Sequence, residues 1–282
     1  MVESTLNEAP IIGLNLGVKK TGVCALDGVG GVDVLTSVST GELNAFLDVL
    51  EEESGVPARV VADTPLQEEA PLGFRSFEQG FMQGLFSNTQ VGLQPKDPSA
   101  PGPKLGPIKW WLRNHGLSWS NEFPAGTAGV SRETDANVAL GLLVDPALLL
   151  EHRHALRFRY GRGKYLAPVV VAFDLLAQRQ VVHPFFQPVL GDQPLSWAWL
   201  EGASNTSFEQ KANAQADELI AALTCALLGT YELSGSATQI RDEDGHYLLP
   251  PAALIHDAWK RELSWILKDP TFADVQPPFK DL

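Results

Sequence analysis

Residues 11–26 read Ile-Ile-Gly-Leu-Asn-Leu-Gly-Val-Lys-Lys-Thr-Gly-Val-Cys-Ala-Leu, two short apolar runs on either side of a Gly17-to-Gly22 turn. Runs of this kind around a glycine-bearing turn predict two adjacent antiparallel strands. A buried strand that ends in a polar residue places that side chain at the rim of its sheet, where ligands commonly bind. Asn15 holds that position here. A second apolar strand, Val60-Val61-Ala62, ends in Asp63 and the turn Thr64-Pro65-Leu66, and a later acid, Asp217, opens the apolar helix expected over 217–228.

Between and beyond these points the pattern is mixed. Val32 to Val38 is a third β-branched run, reached through the turn Asp27-Gly28-Val29-Gly30-Gly31, and Leu43, Phe46, Leu47 and Leu50 fall at helical spacing within 41–53. The fourth strand, ending at Asp63, is expected to insert parallel to the first. Phe74, Phe77, Phe81 and Leu85 predict a helix over 74–86. Five prolines in 94–107 exclude a regular element there and predict a surface loop or flap. Ile108 to Asn114 reads as a helix stopped by Gly116, and 117–123 as a strand. Ala136 to Leu150 reads as helix broken at Asp145-Pro146, 168–173 and 195–200 as strands, and 207–228 as a long helix capped by Asn205 or Ser207. A strand over 246–249 and a helix from Pro250-Pro251 through 267 complete the reading.

Three hairpin-linked strands, a helix, a strand ending in Asp63 and a late helix beginning with Asp217 follow the layout of ribonuclease-H-like folds. The expected architecture is α/β, a ribonuclease-H-like mixed five-stranded sheet with three antiparallel strands and then parallel strands, and helices on both faces. One domain is expected over 10–267, with insertions around 87–107 and 130–205 and polar or Pro-rich tails at 1–9 and 268–282.

Five passages, in order, resemble the domain of unknown function 429 family of predicted ribonuclease-H-like nucleases. Ile12-Gly13-Leu14-Asn15-Leu16-Gly17 with Thr21-Gly22 resembles its opening G-I-D strand, and Val61-Ala62-Asp63-Thr64-Pro65-Leu66 its I-D-A-P-L. Glu122-Phe123-Pro124-Ala125 is similar to its E-V-Y-P with one residue missing. Asp217-Glu218-Leu219-Ile220-Ala221-Ala222-Leu223-Thr224 is similar to its D-A-L-I-A-A-L-T helix, and Asp244-Gly245-His246-Tyr247-Leu248-Leu249-Pro250 to its E-G-x-I-x-x-P. The resemblance implies a catalytic, metal-holding set of Asp63, Glu122 and Asp217, with Asn15 where the family carries an acid, and Mg²⁺ or Mn²⁺ as cofactor. Nucleases of this kind gather carboxylates from distant positions because two hard ions must clamp the attacking and leaving oxygens of a phosphodiester.

Asn15 departs from that pattern in a physically definite way. An amide oxygen coordinates a cation but is neutral, and it does not bridge two ions as a carboxylate does. Three functions therefore stay open: a divalent-metal-dependent nuclease or phosphodiesterase, a non-catalytic binding or scaffold protein that keeps the fold, and a relative of actin-like ATPases using Gly13–Gly17 and Thr21-Gly22 as a phosphate hairpin. The last would need a second phosphate turn and an adenosine motif, which the sequence does not show. Asn15 itself can ligate a metal, bind substrate or cap its own turn; Asp63 and Asp217 can equally be a turn acid and a solvated helix acid, and Asp145 competes with Glu122.

The 282 residues carry a formal charge of −13, which repels polyanions at long range and counts against a general nucleic-acid coat while leaving room for a local basic groove. The one concentrated basic stretch is 152–164, where Arg157, Arg159, Arg162 and Lys164 interleave with aromatics in a manner that suits phosphate contact and base stacking or, equally, a solvated loop. Lys19 and Lys20 in the hairpin turn admit the same two readings. Expected partners are a structured nucleic acid and a second copy of the chain. No apolar run approaches the ~18 residues that span a bilayer, so no membrane partner and a cytoplasmic location are expected. Two cysteines, Cys24 and Cys225, make no disulfide framework and are expected in the core. The seven tryptophans can line a cleft but are more readily core or interface residues.

Overall fold

A computed structural model describes residues 9–63, 105–119, 130–149, 151, 168–208, 212–242, 245–266 and 274–275. Strands β1 (Ile11–Leu16) and β2 (Lys20–Leu26) form the expected hairpin, with Asn15 opposite Gly22. Strand β3 (Val32–Ser39) extends it antiparallel, and the β2–β3 turn is closed by the Asp27 carboxylate, which accepts the N–H groups of Val29 and Gly31. Strand β4 (Arg59–Ala62) runs parallel to β1, as expected. Beyond it lie β5 (Ser118–Trp119), two residues at the edge, and β6 (Val130–Glu133), both parallel. The order is β3-β2-β1-β4-β6-β5: the anticipated mixed α/β sheet, three antiparallel strands followed by parallel ones, with the two-residue β5 added outside β6.

Side-chain alternation sorts the two faces of this sheet. Ile12, Leu14, Leu16, Val23, Ala25, Val60 and Ala62 point one way, onto helices α1 (Leu43–Ser54) and α2 (Gly106–Asn114) through Leu43, Leu47, Leu50, Ile108, Trp111 and Leu112. Ile11, Cys24, Leu26 and Val61 point the other way, into the larger core. That core holds α3 (Ala136–Gly141), α4 (Pro168–Gln178), α5 (Gln187–Leu190), α6 (Trp197–Ser204) and the long α7 (Ala212–Leu233). A second antiparallel sheet, β7 (Thr238–Asp242), β8 (Gly245–Leu249) and β9 (Asp274–Val275), adjoins it, and α8 (Asp257–Ile266) lies between β8 and β9 in the chain. Trp259 of α8 is buried and donates its indole N–H to the carbonyls of Gly141 and Val144, fastening α8 to the end of α3.

Helix α7 lies unusually close to the sheet because glycine faces it. A Cβ on Gly13 would stand 2.1 Å from the Ala222 carbonyl oxygen, and one on Gly22 2.1 Å from that of Glu218. These contacts also fix direction: residue 218 lies over Gly22, and Gly229 lies over Ile11, Arg59 and Val61, so α7 runs antiparallel to β1. Cys24 and Cys225 are free and fully buried, as expected, and burial pushes the Cys24 thiol far up.

Several sequence expectations are corrected. The 168–173 run is the start of α4, not a strand. Val169 to Phe173 are all buried, and a short apolar run enclosed on every side carries no period that separates strand from helix. Residues 195–200 lead into α6, whose start is set by the Ser196 hydroxyl accepting the Trp199 N–H. Neither Asn205 nor Ser207 caps α7: Asn205 takes the left-handed conformation that ends α6. Helix α7 is described from Ala212, so Asp217 lies within it, as the 207–228 reading has it, and does not open a helix of 217–228. Pro250-Pro251 opens a short 3₁₀ turn (Ala252–Leu254), and α8 begins only at Asp257. The expected strand over 117–123 keeps two residues within the described part, and the elements expected over 74–86 and most of 94–107 lie outside it.

One charged group sits in the core at the far end of β4. The guanidinium of Arg59 meets the Glu232 carboxylate at 2.6 Å, and Arg132 of β6 reaches the same carboxylate at 3.4 Å, all three being at most 1% exposed. Burial lowers the Arg59 guanidinium to about 10; Glu232 works against that shift, and Arg132 adds to it.

Candidate site at the sheet rim

Asn15 and Asp63 come together. Register sets Leu14 beside Ala62, and the Asp63 N–H continues the ladder by donating to the Leu14 carbonyl at 2.8 Å. The two polar residues thus stand next to each other on adjacent parallel strands, one step beyond the paired region. By alternation Asn15 shares its face with Gly13, and Asp63 with Arg59 and Val61, which is the face covered by α7. Both are buried, at 7% and 1% exposure, so neither is an ordinary surface polar residue.

Helix α7 brings Asp217 to the same end of the sheet. The Glu218 carbonyl rests on Gly22, and Gly22 is the register partner of Asn15. Asp217 is half-buried one residue before that contact. Its neighbour Glu218 accepts the hydroxyl of Ser37 on β3.

A further acid, outside the set that the sequence pattern suggests, follows β6. Asp135 is 4% exposed and caps α3, accepting the Val138 N–H at 3.1 Å, while Asp63 accepts the N–H of Ala136 at 3.1 Å. The start of α3 is therefore held by two carboxylates, one from each of two neighbouring parallel strands. The signal was present as Thr134-Asp135-Ala136-Asn137-Val138-Ala139-Leu140, an Asp directly before an apolar helical run.

The other expected site residues fall elsewhere. Glu122, Arg157, Arg159, Arg162 and Lys164 lie outside the described residues. Asp145 accepts the Ala147 N–H in its own turn, and Lys19 is exposed at the hairpin tip. His183 accepts the Phe185 N–H through Nδ1, and burial followed by the Arg179 charge lowers it to about 4, the neutral form that this acceptor role requires. Of the tryptophans, Trp111 and Trp259 are core, Trp197 donates to the Asp174 carboxylate at 2.6 Å, and Trp110 is exposed.

The rim donors are an amide and two carboxylates, all hard oxygens suited to Mg²⁺ or Mn²⁺. They do not make a two-ion set. Among the described residues, no trio of His, Cys, Asp or Glu that includes Asp63 or Asp217 brings one ligand atom each within 4.8 Å of the others; the one trio that does is Asp48, Glu51 and His115, beneath the opposite face. One of the Asp63 oxygens is also engaged by α3. No helix among the described residues is long and apolar enough to cross a membrane. In comparisons with known proteins, no family model, curated protein or solved structure matches this chain.

Proposed function

We propose that this chain is a divergent ribonuclease-H-like protein that hydrolyses phosphodiesters of structured nucleic acid with one divalent ion held at the sheet rim. The observation that carries this reading is the placement of buried Asn15 and Asp63 side by side at the ends of adjacent parallel strands, at the end of the sheet crossed by the Asp217 turn of α7. Bound there, Mg²⁺ or Mn²⁺ would polarise a phosphoryl oxygen. Asp63 and Asp217 supply the negative charge that attracts the ion. Asn15 supplies a neutral oxygen, and its amide N–H donates to a phosphate oxygen, a contact that a carboxylate in the same place would repel. The burial of both strand-end residues keeps bulk water from competing for these contacts.

The full-length protein incubated with Mg²⁺ or Mn²⁺ and a panel of RNA, DNA and branched substrates is expected to cleave at least one of them. Asp63→Asn is expected to abolish that cleavage while binding of the same substrate persists. A wild-type protein that cleaves nothing under either ion refutes the reading.

A second reading, a non-catalytic nucleic-acid-binding or scaffold protein, is favoured by two specific features: the amide at position 15 and the use of an Asp63 oxygen to hold the start of α3. It predicts substrate retention without turnover and no change in that retention when EDTA is added.

A further inference from the structure

On the opposite side of the sheet, α1 and α2 present a second and separate donor set. Asp48 and Glu51 are three apart on α1 and so share one side of it. His115 is the residue that ends α2, held there by its N–H to the Trp111 carbonyl at 3.2 Å. One ligand atom from each of the three lies within 4.8 Å of the other two.

The surroundings of these groups orient them. The His115 Nδ1 is 2.7 Å from the Trp111 carbonyl oxygen, which only accepts, so Nδ1 carries the hydrogen and Nε2 is the nitrogen that faces the acids. Nε2 stands 2.5 Å from a Glu51 oxygen. The contact shows that Nε2 is the imidazole atom turned toward the carboxylates. The indole N–H of Trp111, itself fully buried, donates to Asp48 at 2.7 Å, and the Trp111 and His115 rings stack with centroids 4.3 Å apart. A single core tryptophan therefore fixes the tautomer of the imidazole and the rotamer of one carboxylate. Outer contacts of this kind are what orient the ligands of protein metal sites.

We infer that Asp48, Glu51 and His115 form a binding site for a divalent transition ion of the Zn²⁺ type, which ties α1 to α2. The site is independent of the rim. One imidazole nitrogen and two carboxylate oxygens are a Zn²⁺ donor set, and a nitrogen donor disfavours Mg²⁺ and Ca²⁺. Ligand atoms on one tetrahedral Zn²⁺ stand about 3–3.5 Å apart given bonds of about 2.0–2.2 Å. The 2.5 Å contact between His115 Nε2 and Glu51 is shorter than that, so the partly exposed Glu51 side chain swings away from the imidazole to admit the ion, while Asp48 stays held by Trp111. Three protein ligands leave the fourth position to water, and the ion would sit where α1 and α2 meet.

The test uses the full chain stripped with EDTA, then titrated calorimetrically with Zn²⁺ and assayed for retained metal after gel filtration. One equivalent is expected, together with a rise in melting temperature that Mg²⁺ at the same concentration does not give. The Asp48→Ala/Glu51→Ala double variant is expected to lose at least about tenfold in Zn²⁺ affinity. Asp63→Asn is expected to keep the full equivalent, which separates this site from the rim. A wild type that retains no Zn²⁺, a double variant that retains it with unchanged affinity, or loss of the equivalent in Asp63→Asn each overturns the inference. If the double variant does not fold, Asp48→Ala alone, at an exposed position, provides the same comparison.

Discussion

Glu232 stands at the centre of a buried charge network among the described residues. Its carboxylate is shared by Arg59 and Arg132, and all three side chains are withdrawn from water. Removing one partner from a buried ion network is far more damaging than replacing the network as a whole, because the remaining charges keep their desolvation cost. Glu232→Gln keeps the shape and removes the charge that both guanidiniums face. Its expected cost is ~3–5 kcal/mol of unfolding free energy, measured by urea denaturation against wild type. A Glu232→Gln protein within about 1 kcal/mol of wild type would show that other contacts of Arg59 and Arg132 carry the load. This network was not legible in the sequence: Arg59 opens an apolar strand and Glu232 closes an apolar helix, 173 positions apart, and neither position alone signals a buried charge. Asn15 and Asp63 were legible, because each is the polar end of a short apolar run. Asp135 was overlooked because its strand, Val130–Glu133, reads Val-Ser-Arg-Glu and has no apolar alternation to reveal it.

Among the elements, α7 shows how far a pattern can be read and where it fails. An apolar surface on every side over 219–228 predicts a buried helix, and Leu219 through Leu228 are all buried. The pattern ends it at Leu228 whereas it continues to Leu233, because Gly229, Thr230 and Glu232 interrupt the apolar run that the pattern follows. The same limit turned 168–173 into an expected strand: enclosure by α3 and α7 erases the polar face that would have shown its period. What no pattern revealed is the reason α7 packs where it does, namely the hydrogen side chains of Gly13 and Gly22. Gly13→Ala places a methyl 2.1 Å from a backbone oxygen, and a helix backbone cannot yield locally as a flexible side chain can. Overpacking usually costs ~1–3 kcal/mol and more where backbone must move. Gly13→Ala is therefore expected to lose at least ~3 kcal/mol or to fail to fold. By contrast, Gly202→Ala on α6, where no atom lies within 4 Å of the added carbon, is expected to be neutral or slightly stabilising in the same melt.

At the scale of the whole molecule, the rim is tied to the stability of the entire fold, because Asn15 belongs to the central strand β1 and Asp63 follows its parallel neighbour β4. Neighbouring strands stand ~4.8 Å apart, so Asn15→Asp would set two carboxylates close together in a place almost closed to water. Without a cation, like charges in such a setting repel and the folded state is penalised, whereas the unfolded chain separates them in solvent. Asn15→Asp is thus expected to lower the melting temperature in EDTA. An ion that binds only the folded state returns about 2.7 kcal/mol at a concentration a hundredfold above its dissociation constant. Millimolar Mg²⁺ or Mn²⁺ should therefore raise the melting temperature of Asn15→Asp by more than it raises that of wild type. The comparison isolates charge, because asparagine and aspartate have nearly the same shape. If the variant melts identically with and without the ion, the rim holds no cation even when given its missing acid, and Asn15 and Asp63 serve only to join β1, β4 and the start of α3.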